Sequence, residues 1–112
     1  MKIKLAVPTD NGYLSQHFGH STIFVFFEIE NNKIIKKEEK IPPPHSEGTI
    51  PRWLISENTT DILTAGIGPK AVQLLYANGI NVYVGVEINT PDNLALDFIN
   101  SNLKFGQNYC HH

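Results

Sequence analysis

The most apolar run of the chain, residues 23–29 (IFVFFEI), limits the folds that are open to it. Phe24, Val25, Phe26 and Phe27 follow one another, so the alternating side chains of a strand place large apolar groups on both of its faces. A strand that is apolar on both faces lies inside its sheet and is covered twice. The run therefore predicts an inner strand with a layer of structure on each side.

Four further strands and three helices are predicted along the rest of the chain. Alternation of apolar and polar side chains predicts a strand over residues 2–9, and a charged run after an Asn-Asn turn predicts an edge strand over residues 34–41. Short apolar runs predict two more strands, over residues 60–65 and 80–85. Capping residues and helical spacing predict helices that begin near three residues, Thr49, Pro69 and Thr90.

The order of these elements predicts a single α/β domain with a five-stranded mixed sheet and helices on both faces. The first three strands form an antiparallel meander, and helical crossovers make the last two parallel to the first strand. The predicted order in space is third, second, first, fourth, fifth. The direction in which the sheet grows reverses between the first and fourth strands, and ligands of open α/β sheets bind at such a point, beyond the carboxyl ends of the strands.

Two unusual loops follow the two strands that flank this point. One contains His17-Phe18-Gly19-His20, and imidazole is the commonest metal ligand among side chains. The other contains Gly66-Ile67-Gly68, whose backbone N–H groups open a helix and suit an anion. His45 follows the third strand at the same edge, roughly 10 Å away by strand spacing. Each loop also has a purely structural interpretation. In the first, Phe18 packs inward and the two histidines lie at a solvated surface; in the second, the glycines only form a tight turn between a strand and a helix.

The last ten residues, 103–112, show no periodicity and form a predicted tail after a domain over residues 1–102. Cys110 and His112 in this tail combine a thiol and an imidazole, which suit zinc, iron and copper. We expect both to fold back to the edge that carries His45 and to complete a metal site there. The tail has little apolar surface to anchor it, so the alternative is a frayed terminus or the start of a purification tag.

Composition excludes several classes of function. The formal net charge of -2 and the pI of about 6.2 argue against a nucleic-acid partner. No apolar run approaches the roughly 20 residues that span a membrane. The single cysteine, Cys110, leaves no internal disulfide and favours a reducing cytoplasm. No motif pairs the acids or activates a serine, so we predict no catalytic residues.

Four motifs, taken in order, resemble the dinitrogenase iron–molybdenum cofactor biosynthesis family, and the resemblance covers nearly the whole chain. They are His17-Phe18-Gly19-His20 with Phe24 after it, His45-x-Glu47-Gly48 before Trp53-Leu54, Gly66-Ile67-Gly68-Pro69-Lys70-Ala71, and Gly106-x-Asn108-x-Cys110-x-His112. The family is similar to ribonuclease H in fold, so the resemblance implies a ribonuclease-H-like fold for this chain. One departure is Ala65, where the family often has another glycine.

The resemblance implies a non-enzymatic carrier that holds an iron–sulfur or molybdenum–iron–sulfur cluster and exchanges it with a donor or acceptor protein. The implied cofactor-binding residues are His17, Phe18, Gly19, His20, Gly66, Ile67 and Gly68. The implied metal ligands are His17, His20, His45, Cys110 and His112. One cysteine cannot hold a four-cysteine cluster, so a preassembled, sulfide-rich anionic cluster fits better.

Two other functions remain open from the sequence. A metal-dependent hydrolase on a ribonuclease-H-like sheet would need several carboxylates at the crevice, where Asp10 is the only nearby acid. A regulatory or interaction module could instead bind a single zinc or other divalent ion through its histidines. The charged edge strand predicts a monomer or a weak dimer.

Overall fold

The computed structural model describes residues 2–106 as one mixed sheet with three α-helices packed on its two faces. The strands are β1 (Lys2–Asp10), β2 (Tyr13–Leu14), β3 (Ile23–Glu30), β4 (Lys33–Lys40), β5 (Asp61–Leu63) and β6 (Asn81–Tyr83). The helices are α1 (Thr49–Ser56), α2 (Pro69–Ala77) and α3 (Pro91–Ile99), and a single 3-10 turn covers Phe18–His20.

The sheet has the order β4-β3-β1-β5-β6, which confirms the order predicted from the sequence. β1 pairs with β3 in the antiparallel sense and with β5 in the parallel sense, so the carboxyl ends of β1 and β5 adjoin. The predicted count of five strands is wrong, because β2 is a sixth strand paired with β1. Asn11 and Gly12 have positive φ and close a hairpin that brings Tyr13 opposite Asp10. The ribonuclease-H-like topology stays a prediction.

The doubly apolar strand β3 is covered on both faces, as its sequence predicts. Phe24 and Phe26 belong to the core under α1 and α2. Val25 and Phe27 belong to the core under α3. The charged strand β4 forms one edge of the sheet, and four of its predicted edge residues are exposed or partly exposed: Lys36, Lys37, Glu38 and Glu39. Within residues 2–106, no helix is both long and apolar enough to cross a membrane.

The first residues of the predicted tail are held against the domain, which differs from the expectation of an unanchored segment. Leu103 packs against the core under α3. Phe105 bridges Val86 in the antiparallel sense, and the Glu87 N–H donates to the Lys104 carbonyl at 2.9 Å. A side chain and a short backbone ladder therefore anchor residues 103–106. The domain boundary after residue 102 stays a prediction.

Ion pairs between Glu57, at the carboxyl end of α1, and two lysines connect this helix to β1 and β4. The Lys40 Nζ of β4 lies 2.6 Å from Glu57 Oε1, and the Lys4 Nζ of β1 lies 3.5 Å from the same oxygen. The hydrogen bond from Lys40 lowers the pKa of Glu57 below its ordinary value of 4.5, although burial opposes the shift. The pair therefore stabilises the fold when Glu57 is ionised.

We expect the stability that Glu57 contributes to be present above about pH 4.5 and to be lost as the pH falls through the lowered pKa. Glu57→Gln should lower the free energy of unfolding by about 0.5–1 kcal/mol near neutral pH, and by less near pH 3. Urea unfolding at the two pH values measures the difference. Glu39→Gln, at an exposed position of β4, is the control, and an equal effect at both pH values for Glu57→Gln would contradict the expectation.

Candidate functional site

A cleft of about 840 Å³ opens beyond the carboxyl ends of β1 and β5. The 3-10 turn forms one wall, the loop of residues 45–48 forms another, and the first turns of α1 and α2 complete it. Its floor is apolar and includes Phe18, Ile50, Ile67 and Leu74. The cleft therefore lies where the sequence predicts a binding crevice.

Backbone hydrogen bonds and one aromatic anchor hold the histidine loop in place. The Ser15 N–H donates to the Pro8 carbonyl at 2.8 Å, and the Phe18 N–H donates to the Gly66 carbonyl at 2.8 Å. The Phe18 side chain is 5% exposed and lies 5.9 Å from the Phe24 ring, measured between ring centroids. The inward Phe18 and a functional histidine loop are therefore compatible, because the buried ring fixes the turn that carries the two imidazoles.

Three imidazoles line the cleft. The ring centroids of His17 and His20 are 5.7 Å apart, and those of His20 and His45 are 6.4 Å apart. His45 is closer than the roughly 10 Å that strand spacing predicts, because its ring lies over the backbone of Gly19, where a Cβ atom would meet His45 Cε1 at 3.0 Å. Within residues 2–106, no three His, Cys, Asp or Glu side chains form a group that could hold one metal ion.

The glycine loop divides into a lining part and a supporting part. Ile67 and Gly68 line the cleft, and their role in binding a cofactor stays a prediction. Gly66 is not among the described residues that line the cleft. Gly66 is buried, and its carbonyl accepts the hydrogen bond from the Phe18 N–H. Gly66 therefore supports the histidine loop from behind.

Charged residues at the cleft were not assigned a role from the sequence. Arg52 in α1 and Lys70 in α2 both line it, together with Glu47. Lys70 Nζ lies 3.7 Å from Glu47 Oε1. Neither α1 nor α2 has an acid in its first turn, whereas α3 has Asp92 there, as the helix dipole favours. The sequence signal that could have identified Arg52 and Lys70 is the presence of a cation near the start of each helix, where an acid is more usual.

The sequence profile described as dinitrogenase iron-molybdenum cofactor matches residues 1–101. The chain belongs to the dinitrogenase iron-molybdenum cofactor family. An uncharacterized protein of Methanocaldococcus jannaschii, MJ0580, is similar to the chain. The two are 38% identical over 86 residues, which cover 72% of this chain and 73% of that protein.

Solved structures share the fold of this family member. The crystal structure of PH0822 matches with a TM-score of 0.87 and 29% identity, over 92% of this chain and 94% of that chain. The apo form of the orange protein from Desulfovibrio gigas matches with a TM-score of 0.72 and 23% identity, over 94% and 93% of the two chains. At that identity the second likeness concerns the fold alone.

Two of the ligands that the family resemblance implies, Cys110 and His112, lie outside the described residues. Their role as additional ligands stays a prediction. The three histidines that complete the implied ligand set are the ones brought to the cleft, and their role as ligands is taken up below as a proposal.

We expect Gly19→Ala to displace the His45 ring by a few tenths of an ångström, because the new Cβ would lie 3.0 Å from His45 Cε1. A shift of the His45 ring signals in a proton–carbon NMR spectrum measures this displacement. Gly106→Ala is the control, since its Cβ would lie 4.0 Å from Glu87 Cγ in ordinary contact. Unchanged His45 signals in Gly19→Ala would contradict the predicted contact.

Proposed function

We propose that this protein binds a preformed iron–sulfur or molybdenum–iron–sulfur cluster in the cleft as cargo, and carries it without catalysing a reaction. The observation that carries the proposal is the convergence of His17, His20 and His45 on one cleft of about 840 Å³. Imidazole nitrogens bind iron and other transition metals. Membership of the iron-molybdenum cofactor family supports the same class of cargo.

The size and spacing of the site favour a cluster over a single ion. The cleft falls in the range of volumes, about 300–1,000 Å³, that hold small-molecule ligands. A cluster offers several metal atoms, so imidazoles 5.7 Å and 6.4 Å apart can bind different atoms of one cargo. A single zinc ion instead needs three or four ligands at one point, and residues 2–106 do not provide such a group.

The charge of the site favours an anionic, sulfide-rich cargo. Gly48 and Gly68 precede α1 and α2 without a side-chain cap, and the positive ends of the two helix dipoles lie at the cleft. Pro51 and Pro69 carry no N–H, and the Thr49 N–H donates to the Ser46 carbonyl at 3.1 Å, so the dipoles contribute charge rather than a row of free donors. Two cationic side chains lie at the same place. The cations and the helix dipoles can therefore attract an anionic cluster that brings its own sulfide, while the imidazoles supply the ligands to its metal atoms.

The hydrolase alternative has little support at the cleft. Metal-dependent hydrolysis would require several carboxylates around the metal ions. Among the described lining residues Glu47 is the one carboxylate, and its Oε1 faces Lys70. The predicted nearby acid, Asp10, is exposed at the end of β1 and is not among the described residues that line the cleft.

The remaining parts of the proposal concern partners and place. A carrier needs a donor and an acceptor protein for its cluster, and we propose no nucleic-acid or membrane partner, a monomer or weak dimer, and the cytoplasm as the compartment. The ribonuclease-H-like topology and a metal-binding Cys110–His112 tail belong to the same proposal.

Anaerobic reconstitution tests the proposed function. The purified protein is incubated with ferrous iron and sulfide, with and without molybdate, then desalted and analysed for iron, molybdenum, zinc and acid-labile sulfide. We expect iron and labile sulfide to remain with the protein in comparable amounts. Iron without labile sulfide, or zinc alone in stoichiometric amount, would overturn the proposal and favour the single-ion alternative.

A further inference from the structure

We propose that Arg52 and Lys70 form an anion-recognition site at the mouth of the cleft, and that Glu47 competes with the incoming ligand for Lys70. The site would select ligands with two or more negative charges on an oxo- or sulfido-bearing face. The inference rests on the proposed function for the identity of the cargo, and it adds the residues that read the charge of that cargo.

The Arg52 guanidinium lies against the Gly48 backbone beside the cleft. A Cβ atom on Gly48 would lie 2.9 Å from Nη1, 3.1 Å from Cζ and 3.2 Å from Nη2 of Arg52, so the guanidinium occupies the space that a side chain at position 48 would fill. Gly48 has a φ of 75° and no side chain, and both properties permit this close approach. Across residues 2–106, no ion pair to the Arg52 side chain occurs. A planar guanidinium with free N–H groups binds an anion in a bidentate manner.

Lys70 supplies the second charge from the opposite wall. It lies in the first turn of α2, whereas Arg52 and Glu47 lie on the wall formed by α1 and the loop before it. The Lys70–Glu47 pair therefore spans the mouth of the cleft at 3.7 Å. The two side chains are 90% and 87% exposed, and ion pairs in such water-rich surroundings are weak. An anion with more charge can displace Glu47 from Lys70 at little cost.

Both cations stand where stability alone would favour acids. The positive end of the helix dipole repels a cation in the first turn. α3, whose start does not line the cleft, follows the rule with Asp92 and a Thr90 side-chain cap. α1 and α2, whose starts line the cleft, carry Arg52 and Lys70 and lack such a cap. A negatively charged ligand between the two helix starts would neutralise both the dipoles and the cations.

Binding of the tetrathiomolybdate dianion tests the inference with the whole protein, because this probe carries charge and sulfide but needs no cluster assembly. We expect Arg52→Gln to weaken binding roughly tenfold and Lys70→Gln several-fold. The affinity of Arg52→Lys should lie between those of Arg52→Gln and the unchanged protein, since lysine keeps the positive charge but lacks the paired N–H donors of the guanidinium. Glu47→Gln should strengthen binding roughly threefold by freeing Lys70. Titration at low salt and at about 0.3 M NaCl should show weaker salt dependence in Arg52→Gln.

Lys33→Gln is the matched control, because Lys33 is exposed at the start of β4 and therefore at the opposite end of the sheet from the cleft. Equal losses in Lys33→Gln and Arg52→Gln, unchanged binding in Arg52→Gln and Lys70→Gln, or no binding by the unchanged protein would each overturn the inference. If reconstitution yields a cluster in any of these cases, the proposed function is kept and only the anion site is rejected. If the dianion binds as expected while reconstitution yields no labile sulfide, the anion site stands and the proposed function fails.

Discussion

Phe24→Ala is expected to lower the free energy of unfolding by about 3–5 kcal/mol and to weaken the histidine loop. Phe24 is fully buried, and its ring makes edge-to-face contacts with Phe18 at 5.9 Å and with Trp53 at 5.2 Å between centroids. Phe24 therefore connects Phe18, the ring that anchors the histidine loop, to Trp53 of α1 on the opposite wall of the cleft. Removing it leaves a cavity directly beside Phe18.

Phe27→Ala separates the local effect of Phe24→Ala from the loss of stability. Phe27 lies on the same strand and is also fully buried, but it points to the other face of the sheet under α3. Urea unfolding should give similar losses for the two alanine variants, and only Phe24→Ala should also lower the amount of cluster retained after reconstitution. Phe24→Leu serves as the milder substitution if the alanine variant does not fold. Equal cluster retention in the two variants would contradict a role for Phe24 at the site.

The double substitution His17→Ala with His20→Ala is expected to reduce retained iron and labile sulfide at least tenfold, because it removes two of the three imidazoles at the cleft. The turn itself should survive. Its backbone is held by the hydrogen bonds from Ser15 Oγ to the His17 carbonyl and from Ser21 Oγ to the Phe18 carbonyl, which need no imidazole. The free energy of unfolding should therefore change by about 1 kcal/mol or less.

Gln16→Ala is the control for the histidine substitutions, since Gln16 is an exposed neighbour in the same loop. Metal and sulfide analysis after anaerobic reconstitution and desalting compares the three proteins. Full loading of the double variant would contradict the expectation and show that the cluster is held without His17 and His20. A matching loss in Gln16→Ala would instead mean that the conformation of the loop, and not its imidazoles, controls loading.

The sequence determined the layered architecture and the order of the strands. The apolar run of β3 required cover on both faces, and the crossovers through α1 and α2 placed β5 beside β1 and β6 beside β5. The starts of α2 at Pro69 and of α3 at Pro91 after the Thr90 cap follow from local chemistry. The strand β2 was missed because two residues are too few to show alternation, although the Asn11-Gly12 turn was the signal for a hairpin.

The sequence also placed the two loops at the same edge of the sheet, but it could not give distances within the site. Only the tertiary structure decided that His45 lies over Gly19, that Gly66 supports the loop without lining the cleft, and that Lys70 pairs with Glu47. Periodicity and capping act within a few residues along the chain, whereas these contacts join residues that are far apart in sequence. Their geometry depends on how α1 returns from the β4 edge across the sheet, and that path is set by the packing of the core around Phe24 and Trp53.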